Sequence, residues 1–345
     1  MDRTIKRKSE HLDIVLSRDV SNREITTGLE HVRFEHVALP ELDLDDIDLS
    51  TEFLGRRLKA PFLISSMTGG PEAAAEINKA IAKAANAAGV AFGVGSQRVA
   101  LEHGGADAGL ERSLRALAPD VPILANFGAA QLLDWKDPAE DARRAVDMID
   151  ADGLIIHLNP LQEAVQAEGD RKWAGIRARL TDVVAASEVP VIVKEVGCGI
   201  SADVARALWE TGVRIIDVAG AGGTSWAAVE AERAPDSGRR AVADAFRGWG
   251  IPTATCITSV RKACPDATII SSGGIRTGLD VARSIRLGAD LAGQAAGLLD
   301  AALDGTERLR RHIAIMTEQL RVACFCSGSR NLAELRTAKL QDPVN

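Results

Sequence analysis

From about residue 60 onward the chain alternates short, mainly apolar runs with longer stretches in which apolar residues recur at helical spacing. The runs cover 62–67, 90–95, 122–127, 153–158, 191–196, 214–218, 268–272 and 290–293. Continuous apolar runs of this length read as strands of a parallel sheet buried on both faces. Strands alternating with helices read as βαβ units, and eight such units close a barrel. The expected fold is therefore α/β, a (β/α)8 TIM barrel over 61–345. An N-terminal arm and extension, 1–60, precede it.

Helix boundaries are punctuated in the expected way. Pro71 leads an Ala-rich stretch that stops at Gly89, and Thr277-Gly278 opens another that stops at Gly288. Ser201 begins a stretch with Val204 and Leu208 as its apolar face, ending at Gly212. Proline early and glycine late is the usual asymmetry of helix ends. Pro252 suits a first turn, and Ile257, Val260 and Cys264 share one face, so 251–264 is expected as a helix and not a ninth strand. The segment 298–322 is expected to be one closing helix, and the acidic run 41–48 a solvated loop.

Barrel enzymes keep their chemistry in the loops at the carboxyl ends of the strands. There the run His157-Leu158-Asn159-Pro160-Leu161-Gln162-Glu163 follows Gly153-Leu154-Ile155-Ile156 without a spacer. A loop that only turned the chain would not need His, Asn, Gln and Glu together. Ser272-Gly273-Gly274-Ile275-Arg276-Thr277-Gly278 follows the seventh run and Gly293-Gln294-Ala295-Ala296-Gly297 the eighth. Loops at these two positions form the recurrent phosphate site of the fold: glycines admit an anion to the backbone and helix N-termini aim amides at it. Lys194 ends the fifth run, where an unpaired ammonium in an apolar mouth is costly. An anionic ligand, a Schiff-base role or a pair with Glu195 would each resolve that cost, although alternation along a strand disfavours the last. After the sixth run, Gly220–Trp226 offers glycines, the hydroxyls of Thr224 and Ser225, and Trp226, read as exposed on a loop and suited to a lid or stacking surface.

Composition narrows the partners. The 345 residues carry a formal net charge of -7, so nothing favours nucleic acid or an anionic membrane. The basic start lacks the apolar core of a secretory signal, and no window suits a bilayer span. Five scattered cysteines fit reduced thiols and a cytoplasmic compartment. The chain has no Tyr, so any acid–base chemistry proceeds without a phenol.

Several of these segments together resemble type 2, flavin-dependent isopentenyl-diphosphate delta-isomerase, along essentially the whole chain. The motifs are Arg7-Lys8-Ser9-Glu10-His11, Ser65-Ser66-Met67-Thr68-Gly69-Gly70, Gly95-Ser96-Gln97-Arg98, His157–Glu163, Lys194-Glu195, Gly222–Trp226 with Glu230, and the Gly273–Gly278 turn. The resemblance implies an FMN barrel, active with reduced flavin, Mg2+ and NADPH as flavin reductant, that interconverts isopentenyl and dimethylallyl diphosphate. It implies a homo-tetramer or homo-octamer whose basic arm resembles a clamp lent by a neighbouring subunit. By position, Ser66, Met67, Thr68, Ser96, Asn126 and Lys194 would contact FMN. So would Thr224, Ser225, Gly273, Gly274, Arg276, Ala295 and Ala296. Arg7, Lys8, His11, Ser96, Gln97 and Arg98 would bind substrate, with His157, Asn159, Gln162 and Trp226. Gln162 and His157 would serve catalysis, and Glu163 would hold the metal. One departure is Gly293-Gln294-Ala295, where the family often has Gly-Met-Ala. The alternative is an FMN-dependent 2-hydroxy-acid oxidase or dehydrogenase, but that chemistry expects a His after the sixth strand and usually a Tyr. An inosine-monophosphate dehydrogenase type would need a Cys in that loop, and a non-catalytic flavin barrel would need a lost functional residue.

Overall fold

The structure is a computed structural model that describes residues 3–22, 24–66, 71–103 and 110–341. Among the described residues ten strands form two sheets. The hairpin β1 (Thr51–Phe53) and β2 (Arg56–Leu58) is antiparallel. The others are β3 (Phe62–Ile64), β4 (Ala91–Gly93), β5 (Ile123–Gly128), β6 (Gly153–Leu158), β7 (Val191–Glu195), β8 (Ile215–Asp217), β9 (Thr268–Ser271) and β10 (Leu291–Gln294). These eight close a parallel barrel in chain order, with β10 returning to β3. All eight expected strands are present, several trimmed where polar residues leave the ladder for the loops.

Alternation along each strand divides the barrel interior into layers. A lower layer of Leu63, Ala91, Leu124, Ile155, Ile192, Ile215, Ile270 and Leu291 forms its own apolar cluster, to which Phe53 and Leu58 of the hairpin add. Two residues further along, on the same face of each strand, stand Ser65, Gly93, Asn126, His157, Lys194, Asp217, Ser272 and Gly293. An apolar floor thus supports a ring that is polar or glycine at every position. The register sets His157 beside Lys194, and Lys194 beside Asp217.

The helices match expectation with two corrections. The 251–264 segment is helical over Thr253–Ala263. The expected closing helix is two helices, Ala296–Leu303 and Thr306–Cys326, broken at Gly305 with φ 106°. In Ala202–Glu210, Ala205 and Leu208 are buried while Val204 is exposed, so the apolar face is narrower than the spacing implied.

The amino-terminal rim of the barrel carries the same ionic staple twice. Asp152 precedes β6; its Oδ2 accepts from the Ile123 amide (2.8 Å) and Arg115 Nη2 (2.5 Å), and its Oδ1 from Arg56 Nε (2.9 Å). Asp290 precedes β10; its Oδ2 accepts from the Ile269 amide (2.8 Å) and Arg261 Nη2 (2.7 Å), and its Oδ1 from Arg336 Nη2 (2.7 Å). Each carboxylate joins two strands, and its arginine also holds nearby loop carbonyls. Asp290→Ala is expected to cost about 2–3 kcal/mol, because it takes the carboxylate from two partly buried guanidinium groups and the acceptor from the Ile269 amide. Urea unfolding reads this as a lower midpoint, and a shift worth less than about 0.5 kcal/mol would count against the staple.

Candidate active site

At the carboxyl end of the barrel two adjoining cavities of about 390 and 170 Å³ share Ser66, Lys194, Ala295, Trp226 and His11. The larger lies among the loops after β8, β9 and β10 and is lined by Gly223, Thr224, Gly273, Gly274, Arg276 and Ala296. The smaller lies over β4 to β6 and is lined by Arg7, Ser96, Arg98, Asn126, His157, Asn159, Gln162 and Glu163.

His157 is oriented from below. Asn126 Nδ2 donates to the Val94 carbonyl (3.0 Å), so Asn126 Oδ1 must accept from His157 Nδ1 (2.9 Å). The neutral ring then carries its proton on Nδ1 and its lone pair on Nε2. Pro160 starts the helix Pro160–Val165 directly after the strand, setting Gln162 and Glu163 on its first turn. Asn159 Nδ2 donates to Gln162 Oε1 (3.1 Å) and Glu163 Oε1 (2.9 Å), and the Asp170 amide donates to Glu163 Oε2 (2.7 Å). Burial pushes the Glu163 carboxyl above its ordinary range despite those donors.

The helix Arg3–Ser17 lies across the mouth of its own barrel. His11 is buried, donates to Glu230 Oε1 (2.8 Å) and meets Trp226 edge to face at 5.2 Å. Burial lowers its pKa, which keeps the ring neutral. Glu230 also accepts from Gln162 Nε2 (3.2 Å) and Arg233 Nη1 (2.6 Å). Burial opposes its ionisation, but the His11 hydrogen bond and the Arg233 charge hold its carboxyl below the usual range. With the Gln166 amide turned to suit its neighbours, its nitrogen donates to Glu230 Oε1 (3.1 Å) and its oxygen accepts from Arg7 (2.8 Å). Helix, arm and β6 loop thereby form one polar network.

The FMN-dependent dehydrogenase family model matches residues 2–109 and 139–342. An isopentenyl-diphosphate delta-isomerase of Stutzerimonas stutzeri is 57% identical over 97% of this chain and 96% of its own length. That of Synechocystis sp. is 48% identical over 99% of this chain and 97% of its own. The chain belongs to the type 2 isopentenyl-diphosphate delta-isomerase family. Solved mandelate oxidase structures share the fold; one with (S)-mandelic acid superposes with a TM-score of 0.68 at 18% identity, covering 99% of this chain and 98% of that one.

In this isomerase the residues expected at the flavin fall mainly on the larger cavity, and those expected at the substrate on the smaller. Three expectations need correction and three lie out of view. Gln97 is wholly buried: its Nε2 donates to the Ala145 carbonyl (2.8 Å) and its Oε1 accepts from the Asn126 amide (2.9 Å), so it props up β5 and does not face substrate. Ser225 spends its hydroxyl capping the helix Trp226–Arg233 at the Ala228 amide. Trp226 begins that helix, half-buried under the arm, and is not an exposed loop residue. Met67, Thr68 and the side chain of Lys8 lie outside the described residues.

The family's dependence on FMN agrees with a direct observation at the larger cavity. The hydroxyls of Ser65 and Ser66, both lining it, are buried and have no partner among the described residues. A ligand with donors and acceptors on its edge supplies what they lack. The glycines there also serve the packing of the loops. A Cβ on Gly273 would lie 2.1 Å from the Gly220 carbonyl, so the two turns abut backbone to backbone. Gln294 replaces the expected Met and bridges that turn to the long helix, donating to the Ile275 carbonyl (3.0 Å) and meeting His312 Nε2 (3.0 Å). Among the described residues no three His, Cys, Asp or Glu side chains gather as a metal cage. Glu163 as a single cavity-facing carboxylate fits a Mg2+ that also takes phosphate oxygens, the usual manner of this ion.

Sequence reasoning missed Asp217, Gln166 and Asp170. Asp217 was detectable, since it ends an apolar run at the same level as Lys194. Asp170 was not, because only folding brings its amide to Glu163. Lys194 Nζ donates to the Glu195 carbonyl (2.6 Å), while the Glu195 carboxylate turns away and accepts amides of residues 196–199. The expectation that these neighbours do not pair as side chains is met.

Proposed function

We propose that this protein interconverts isopentenyl diphosphate and dimethylallyl diphosphate, using reduced FMN and Mg2+, with NADPH as the flavin's reductant. The observation that carries this reading is the smaller cavity: cationic and amide donors beside one buried carboxylate, opening directly onto the flavin cavity. In this reading the arm and extension, 1–60, contribute Arg7, Lys8 and His11, and the enzyme works in the cytoplasm as a homo-tetramer or homo-octamer. Among the described residues no helix is long and apolar enough to cross a membrane.

The diphosphate binds Arg7, Arg98, His157 and Asn159. Arg98 now pairs with Glu102 (2.9 Å) and Asp170 (2.8 Å), so substrate must compete for its guanidinium, which limits unproductive anion binding. Glu163 takes Mg2+ with the phosphate oxygens, and Ser66, Ser96, Asn126, Lys194, Thr224, Gly274, Arg276, Ala295 and Ala296 hold FMN. The reaction adds one proton at the terminal alkene carbon and removes one from the neighbouring methylene, so it consumes no electrons. Reduced FMN, when bound, supplies electron density for the developing positive charge and a ring nitrogen able to exchange a proton. Gln162, held by Glu230 and Asn159, keeps the alkene over that ring, and Trp226 with the arm excludes water that would trap the cation.

The test is an anaerobic assay with isopentenyl diphosphate, Mg2+ and NADPH or dithionite. Dimethylallyl diphosphate should accumulate through many turnovers for each reductant consumed. One reductant oxidised for every product formed would mark net redox chemistry and end this reading.

A further inference from the structure

Asp217 takes no part in the reaction just described, yet it is a carboxylate with no solvent exposure in the polar ring of the barrel. Its Oδ1 accepts from Ser272 Oγ (2.5 Å) and the Ala219 amide (3.3 Å). Its Oδ2 has no hydrogen-bond partner among the described residues and lies 4.0 Å from Lys194 Nζ. A wholly buried carboxylate is costly unless it is paired, and a residue needed only for packing would be apolar, like Ile215 on the same face below it. The pairing is imposed by strand register, since Lys194 and Asp217 are direct neighbours across β7 and β8. Lys194 lines both cavities, while Asp217 stands beside it and lines neither.

We propose that Asp217 is a positioning residue for Lys194: a buried counter-charge that aims the ammonium at the cavity and offsets its field, thereby setting the reduction potential of bound FMN. This rests on the reading that FMN lies over Lys194. A lone ammonium there favours the anionic, reduced flavin, and a carboxylate 4.0 Å behind it weakens the preference. Burial pushes the Asp217 carboxyl above its ordinary range, and the Lys194 charge and the Ser272 hydrogen bond act against that rise in favour of the ionised form. Ser272 also links the carboxylate to the start of the Gly273 turn.

The test is spectroelectrochemical titration of FMN in the holoenzyme. Asp217→Asn keeps the shape and removes the charge. Its midpoint potential should rise, equivalent to roughly tenfold tighter holding of reduced relative to oxidised FMN. Ser272→Ala, a milder change, should shift the potential the same way by less, and it decides the matter if Asp217→Asn does not fold. Lys194→Met should lower the potential. A lowered potential in Lys194→Met with wild-type values in the other two overturns the role of Asp217 alone. Wild-type values in all three overturn the placement of the flavin and the proposal with it.

Discussion

Glu163→Gln is expected to purify with its FMN and to lose about 10²–10³-fold of its Mg2+-dependent turnover. The carboxylate is buried at the smaller cavity, whereas most of the groups expected at FMN line the larger one, so the two functions largely separate in space. Gln can still accept the Asp170 amide at one oxygen, which preserves the loop, but it brings no negative charge to the metal. Flavin absorbance after gel filtration reads the first half, and turnover against Mg2+ concentration the second. Loss of FMN from this variant would mean that Glu163 supports the flavin. In the wild type, burial raises this carboxyl, and Mg2+ needs it ionised. The Mg2+ requirement should therefore steepen as pH falls through that raised value, and a pH-independent requirement would point to another ligand.

Gly273→Ala should cost roughly 3–5 kcal/mol and strip the barrel of FMN. Two penalties add here. The φ of +95° is unfavourable for any L side chain, and the new Cβ would lie 2.1 Å from the Gly220 carbonyl, a backbone atom that cannot rotate aside. The turns after β8 and β9 would have to part, and both line the larger cavity. Gly305→Ala is the matched control: its φ is +106°, but its Cβ would meet nothing within 4 Å. It should lose only about 1 kcal/mol and keep its flavin. Equal urea midpoints for the two variants would show that the backbone contact contributes nothing.

The reach of the sequence can be judged from particular residues. Gly153–Leu158 was legible to the residue because it is apolar on both faces and bounded by a glycine and a polar loop. The helix Thr253–Ala263 was legible because its apolar spacing has only one periodic reading. Glu163 and Asn159 were legible because polar groups crowded after an apolar strand have few structural uses. Ser96 and Gln97 show the limit. They are adjacent in a segment without regular period, and only packing sends Ser96 to the cavity and Gln97 into the core. Trp226 shows it differently: a glycine-rich approach disguised a helix start that Ser225 caps.

The sequence alone determined the eight-stranded barrel, the end at which the chemistry gathers and the family. The barrel and its chemical end are written in local period and burial, which neighbouring residues carry between them, and the family in its short motifs. Only the tertiary structure decided that Asp217 stands behind Lys194, that His11 reaches Glu230 across 219 positions, and that each rim aspartate joins two strands. These depend on barrel closure and strand register, through which residues distant in the chain come within hydrogen-bond range. No local pattern encodes which strand lies beside which charge.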